Sequence, residues 1–169
     1  GERKGIDVLI PALGKVAAGG TDFRARIGGN GDIEHYRKLA DDARIADRIE
    51  FLGWVGEDVV DREMRGADIF VLPSRAENQP VAIIEAMARG LPVISTSIGA
   101  IPETVQDGVC GLIVPPGEVD PLAGAIETLA KDGAMRQRMG KAGRARWQER
   151  YSIAAVADRM ARRYRELIR

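Results

Sequence analysis

Two glutamates separated by seven residues, Glu77 and Glu85, are the side chains of this sequence best placed to do chemistry. Glu85 stands in an otherwise apolar run, Ile83-Ile84-Glu85-Ala86-Met87, where a carboxylate needs a partner. Arg89, four residues on, has the spacing of a helical ion pair, worth about 0.2–0.5 kcal/mol on an exposed helix. A ligand is the other candidate, because a carboxylate in a cleft can accept hydrogen bonds from two adjacent sugar hydroxyls. The local pattern supports both readings equally. A second constellation, Gly28-Gly29-Asn30-Gly31, would let a backbone approach a phosphate closely and present amides at a helix start. A dinucleotide fingerprint needs a third glycine, and Glu34 stands in its place. The acid about twenty residues on, Glu50, is followed by Phe51 and Leu52, which puts it inside a strand and not at its tip. The glycine run therefore reads as a phosphate loop or a plain strand-to-helix turn, without a nicotinamide cofactor.

The elements that must position these residues alternate along the chain. Apolar spacing predicts a helix over 6–16, with Pro11 and Gly14 inside it, then a short strand over 23–27 and a charged helix over 33–43 introduced by Asp32. A strand over 48–52 ends at Gly53, a short helix covers 58–65, and the run DIFVL predicts a buried strand over 68–72 stopped by Pro73. A helix follows over 80–89, with Pro80 near its first turn and Gly90 just beyond its end. Further strands are expected over 92–96 and 111–114 with a helical turn over 102–105 between them, and three helices over 121–131, 135–150 and 153–168 close the chain. Strands rich in Val and Ile, each followed by a helix, imply right-handed crossovers and a doubly wound, Rossmann-like α/β domain with a parallel sheet covered on both faces. Such sheets bind ligands at the carboxyl ends of their strands, which directs attention to 28–32, 53–57, 73–80 and 96–103.

Bulk properties exclude several classes of function. The chain is long enough for one domain over 1–169 with a real core. Its 25 basic and 25 acidic side chains cancel, which gives no reason to expect nucleic acid as a partner. A single cysteine, Cys110, cannot form an internal disulfide, and with one histidine, His35, no His/Cys metal cluster can be assembled. No apolar run approaches the length of roughly 18 residues that spans a bilayer, and no signal-peptide pattern opens the chain, so a cytoplasmic location is expected. Charge is nevertheless uneven: residues 133–169 hold eleven Lys and Arg against three acids. A solvated helical face accounts for this, and a peripheral contact with an anionic membrane at the inner face is the sharper alternative.

The spacing of Glu77 and Glu85, followed by Ala-Met-Ala-Arg-Gly-Leu-Pro-Val-Ile, resembles the E-x7-E signature of the retaining, family four (group 1) glycosyltransferases. The likeness covers essentially the whole chain. Lys4-Gly5 is similar to that family's lysine-glycine at the first helix, Ile27-Gly28-Gly29-Asn30-Gly31 to its glycine loop, and Phe51-Leu52-Gly53-Trp54-Val55 to its base-contacting strand end. The runs 67–74, 102–108 and 111–114 continue the same order. The resemblance implies the C-terminal, donor-binding half of a GT-B glycosyltransferase, whose donor is a nucleoside-diphosphate sugar.

That resemblance also implies roles. Lys4 would place charge on the donor diphosphate, and Glu77 would hold the transferred sugar; these two are the candidate catalytic residues. Gly28, Gly29, Asn30, Gly31 and the start of the following Pro80 helix, with Asn78, Gln79 and Val81, would surround the donor. Val55 would meet the nucleobase through its backbone, and Glu85 would hold the ribose. No D-x-D run appears, so a metal-independent reaction without a cofactor is expected. Asn78-Gln79-Pro80 departs from the family's usual Gly-Phe-Gly, and Pro80 removes one amide donor. The strand and arginine that precede the lysine in the family, and the N-terminal acceptor-binding domain, are expected partners outside these 169 residues, so the chain alone should not transfer sugar. Two rivals stand beside this expectation: a non-catalytic sugar-nucleotide-binding module, and a sugar-nucleotide epimerase of GT-B architecture.

Overall fold

Helices and short strands alternate along the computed structural model, which describes residues 2–168; Gly1 and Arg169, the last of the eleven cations counted above, lie outside them. A 3-10 turn over Glu2–Lys4 leads into α1 (Ile6–Ala18). This helix buries Val8, Leu9, Ile10, Ala12, Leu13 and Val16, and such packing carries it through Pro11, which removes one ladder bond without ending the helix. Then come β1 (Ala25–Gly28), α2 (Ile33–Asp42), β2 (Ile49–Gly53), α3 (Glu57–Arg65), β3 (Phe70–Leu72) and α4 (Val81–Ala88). The chain finishes with β4 (Val93–Thr96), α5 (Ile101–Thr104), β5 (Gly111–Val114), α6 (Val119–Lys131), α7 (Gly133–Arg150) and α8 (Ile153–Leu167).

Every expected element is present, with shifted ends. Asp32 caps α2, its carboxylate accepting from the His35 amide at 3.0 Å. Pro80 is the N-cap of α4 and not part of its first turn. Strand β3 starts two residues later than the apolar run suggests, because pairing begins where Phe70 donates to the Pro92 carbonyl at 3.0 Å.

All strand pairs are parallel, and they form two groups, β1-β2 and β3-β4-β5, where the sequence pattern suggests a single sheet. Alternation along the strands distributes side chains to two faces. Val71, Ile94, Leu112 and Val114 join α1, α2 and α6 in one apolar cluster. Phe70, Val93 and Ile113 join residues of α3, α4 and α5 in the other. Helices therefore cover both faces, as a doubly wound fold requires. The last helix differs from the rest. No side chain of α8 is buried, and Ile153, Met160, Tyr164 and Leu167 form an exposed apolar stripe along it.

Candidate active site

The loop leaving β3 is held from two sides by glycines. Gly5, the N-cap of α1, has φ +71°, and a Cβ built there would lie 2.0 Å from the Pro73 carbonyl oxygen. Gly99, with φ +56°, would place a Cβ 1.8 Å from the Glu77 carbonyl oxygen. Only glycine allows either approach, since it alone combines a left-handed backbone with no side chain. Hydrogen bonds fix the rest of the loop. The Arg75 amide donates to the Arg3 carbonyl at 2.8 Å, the Ala100 amide to the Asn78 carbonyl at 3.2 Å, and the Thr96 hydroxyl to the Ser74 carbonyl at 2.6 Å. Arg75 and Asp7 of α1 form an ion pair at 2.7 Å.

Glu77 is thereby set beside Lys4. The Lys4 Nζ lies 2.5 Å from Glu77 Oε2, and the Ser74 hydroxyl donates weakly to the same oxygen at 3.5 Å. The Glu77 side chain is 12% exposed and that of Lys4 49%. The carboxylate is thus sheltered, while the lysine side chain is half-exposed.

Glu85 is half-buried on α4, and its carboxylate has no partner among the described residues. Arg89 does not take that role. Its guanidinium is committed to Asp61 of α3 through Nε at 2.9 Å and Nη2 at 2.8 Å, and Nη1 donates at 2.9 Å to the main-chain oxygen of Glu85. Arg65 binds Asp61 as well, at 2.7 Å, and the two guanidiniums hold the Asp61 carboxyl below its ordinary range. The ion pair that the sequence leaves open between Glu85 and Arg89 is therefore not formed.

A second group of candidate residues gathers at the ends of β1 and β2. The Gly29 amide donates to the Gly53 carbonyl at 2.7 Å, and a Cβ on Gly28 would meet Val55 Cγ2 at 3.3 Å. Asn30 and Gly31 are exposed beyond them, and Trp54 projects into solvent. At the start of α4, Asn78, Gln79 and Val81 are exposed around the buried Pro80. Pro80 has no amide, and the Ile83 and Ile84 amides already bond to its carbonyl, so Val81 and Ala82 keep the free N–H groups of this helix end. The structure brings Lys4 to Glu77 and Gly28 to Val55. Glu50 lies inside β2 and pairs with Arg26 at 3.0 Å, and Arg26 also binds Glu63 of α3. His35 is exposed and Cys110 buried, the burial raising its thiol pKa. Among the described residues no three His, Cys, Asp or Glu side chains are grouped to hold a metal ion.

Ser74, Gly99 and Asp7 are the parts of this site that the sequence reading does not single out. The sequence marks 96–103 only as a segment after a strand. The role of Gly99 depends on a backbone contact with residue 77, which no local spacing shows.

A parallel α/β layer with a lysine–glutamate pair, a second glutamate and a glycine loop at its carboxyl strand ends has the architecture of a Rossmann-like nucleotide-binding domain. The chain belongs to the group 1 glycosyl transferases, whose family model matches residues 1–132. It is 36% identical to a GDP-mannose-dependent alpha-(1-6)-phosphatidylinositol monomannoside mannosyltransferase of Mycobacterium tuberculosis, over 92% of the chain and 44% of the relative. Among solved structures it resembles sucrose-phosphate synthase from Thermosynechococcus elongatus, with a TM-score of 0.87 and 31% identity over 99% of this chain and 43% of that one. It also resembles the C-terminal domain of a group 1 glycosyl transferase (LpcC) from Francisella tularensis, with a TM-score of 0.83 and 25% identity over 90% of this chain and 82% of that one. The chain spans somewhat under half the length of the curated relatives it matches.

Proposed function

We propose that these residues are the donor-binding half of a retaining glycosyltransferase, which binds a nucleoside-diphosphate sugar and presents it to an acceptor held by an N-terminal domain. The observation that carries this reading is Glu85: a half-buried carboxylate in an apolar helix, left without a partner although Arg89 is within reach of its main chain. In the proposal Glu85 accepts hydrogen bonds from the ribose hydroxyls, Val55 meets the base through its backbone, and the 28–31 amides and those of Val81 and Ala82 face the phosphates. Asn78, Gln79 and Pro80 shape the donor's surroundings.

Transfer breaks the bond between the anomeric carbon and the diphosphate oxygen, which leaves with the bonding pair and so gains negative charge. A preorganised cation stabilises that charge. Lys4 would supply it by exchanging Glu77 for the diphosphate, which in turn frees Glu77 to hold the transferred sugar. The acceptor oxygen forms its new bond on the same face and loses its proton to a group outside this chain. No step in this scheme calls for a metal. Among the described residues no helix is long and apolar enough to cross a membrane. If the acceptor is lipid-linked, as the name of the mycobacterial relative indicates for that enzyme, the cation-rich α7 and α8 would lie toward an anionic surface.

The test is a thermal-shift and calorimetric screen of residues 1–169 against uridine, guanosine and adenosine diphosphates and their sugars. Saturable binding by the parent chain that is lost in Glu85→Ala supports the reading. No binding by any of them, from a folded protein, refutes it.

A further inference from the structure

Two arginines of α7 donate to main-chain carbonyls of other helices. Arg136 caps α6 close by in the chain, donating to the Leu129 and Ala130 carbonyls at 2.6 and 2.8 Å. Arg146 reaches much farther. Its Nε donates to the Thr104 carbonyl at 2.8 Å and its Nη2 to the Glu103 carbonyl at 2.6 Å, 42 and 43 positions back. It is half-buried and forms no ion pair with a carboxylate among the described residues, which sets it apart from the solvated cations of that segment.

Helix α5 needs such a clamp. It is a single turn of four residues, too short to hold itself. Of its carbonyls, that of Ile101 accepts from the Val105 amide at 2.8 Å, and those nearest its end have no partner within the helix. Thr104 is 2% exposed, so water gives its carbonyl little help. The planar fork of a guanidinium serves two adjacent carbonyls at once, in a fixed geometry that a lysine ammonium does not have.

What α5 holds in turn is the segment before it, against the loop after β3. The Thr104 hydroxyl donates to the Ala100 carbonyl at 2.9 Å, and the Ala100 amide to the Asn78 carbonyl at 3.2 Å. Gly99 lies against the Glu77 carbonyl. Bonds thus run from Arg146 to the residue beside Glu77. Helix α7 is itself closely seated. A Cβ on Gly140 would lie 2.0 Å from the Gly90 carbonyl oxygen, just past α4, and one on Gly143 would lie 3.7 Å from Met87 of α4 and from Cys110. The helix that backs α4, and so Glu85, therefore also clamps α5 and, through it, the loop of Glu77.

We propose that Arg146 is a positioning residue for the donor sugar: its fork on the Glu103 and Thr104 carbonyls fixes α5 and residues 97–100, and these set the Glu77 main chain from which the sugar-holding carboxylate extends. The proposal rests on the donor reading for its ligand, whereas the link from Arg146 to the loop does not.

The test compares the parent chain with Arg146→Met and Arg146→Lys. Calorimetry gives the affinity for UDP against UDP-glucose and for GDP against GDP-mannose. NMR gives amide exchange at Ala100, with Ile45, which donates to Ala40 in the cluster around α1, α2 and α6, as the reference. In Arg146→Met the sugar-bearing donor should bind about ten-fold more weakly and the plain diphosphate less than about two-fold more weakly. Exchange at Ala100 should quicken about ten-fold or more relative to Ile45. Arg146→Lys keeps the stem and charge without the fork, and should fall between the parent and Arg146→Met in both quantities. A packing role alone would lower the melting temperature and leave the ratio of the two affinities as it is. An unchanged ratio, or an unchanged Ala100 rate, in Arg146→Met overturns the proposal. If Arg146→Met does not fold, Arg146→Lys decides, and a parent-like value of either quantity overturns it. Failure of the donor reading shows separately: a folded parent that binds neither pair of ligands sinks that reading and the sugar role of Arg146 with it, while Ala100 exchange still reports whether the clamp reaches the loop.

Discussion

Replacing Glu85 by alanine separates ligand binding from stability in one experiment. Its carboxylate makes no hydrogen bond or ion pair among the described residues, so the substitution removes no hydrogen bond from the fold. Alanine is also the better helix former by a few tenths of a kcal/mol, about 0.2–0.5, and it spares a half-buried charge its desolvation. The melting temperature should therefore hold or rise slightly. Affinity should move the other way. Loss of hydrogen bonds from ribose hydroxyls to a carboxylate costs about 1.5–3 kcal/mol, which is roughly 10- to 150-fold in dissociation constant. Titration calorimetry with the best nucleoside diphosphate, alongside a thermal melt, reads both quantities. Glu85→Gln should recover only part of the affinity, because it keeps the shape and loses the charge. Unchanged affinity together with a destabilised fold would refute the reasoning and return Glu85 to a structural role.

Further outcomes follow from the same geometry. Lys4→Ala should leave nucleoside monophosphate binding nearly intact and weaken diphosphate binding several-fold, most visibly at low salt; equal losses in calorimetry would place Lys4 away from the second phosphate. Gly99→Ala drives a Cβ into the Glu77 carbonyl, so it should shift the loop, lower donor-sugar affinity more than nucleotide affinity, and leave far-UV circular dichroism unchanged. Asp61 has a depressed folded pKa, so its contribution is present above its unfolded value near 3.8 and is lost as pH falls through the lower folded value. The stability gap between parent and Asp61→Asn, measured by urea titration, should hold at neutral pH and close in that acidic window. On the proposed reading, residues 1–169 alone should show no acceptor-dependent transfer in a radiolabelled-sugar assay, since acceptor positioning, which accounts for about 7–11 kcal/mol of barrier, is assigned there to an N-terminal domain.

Local chemistry explains what the sequence made legible. Asp32 before an apolar-charged period announces a capped helix, and Pro73 after DIFVL announces where a strand must stop, so the element order and the loops at the strand ends follow directly. The relation between elements is harder. The choice of Arg89 between Glu85 and Asp61 is invisible in spacing, because Asp61 reaches it from another helix across 28 positions. The same is true of Gly5 and Gly99, whose importance is a collision avoided with a backbone far along the chain. Pattern also suggests one sheet from five parallel strands. It cannot show that β1 and β3 each keep an open edge, because strand order is a tertiary choice.

The two glycine contacts on the loop after β3 leave it with unequal freedom to vary. A side chain at position 5 or 99 meets main chain at 2.0 or 1.8 Å, so a mutational library there returns mostly misplaced loops. Asn78, Gln79 and Val81 are exposed on the stretch that those contacts hold in place, and exchanges there cost the scaffold little. Variation in this part of the molecule is thus channelled to a few solvent-facing positions at the start of α4. If the proposed donor site is right, directed evolution of donor preference should begin with saturation at 78, 79 and 81, keeping both glycines fixed.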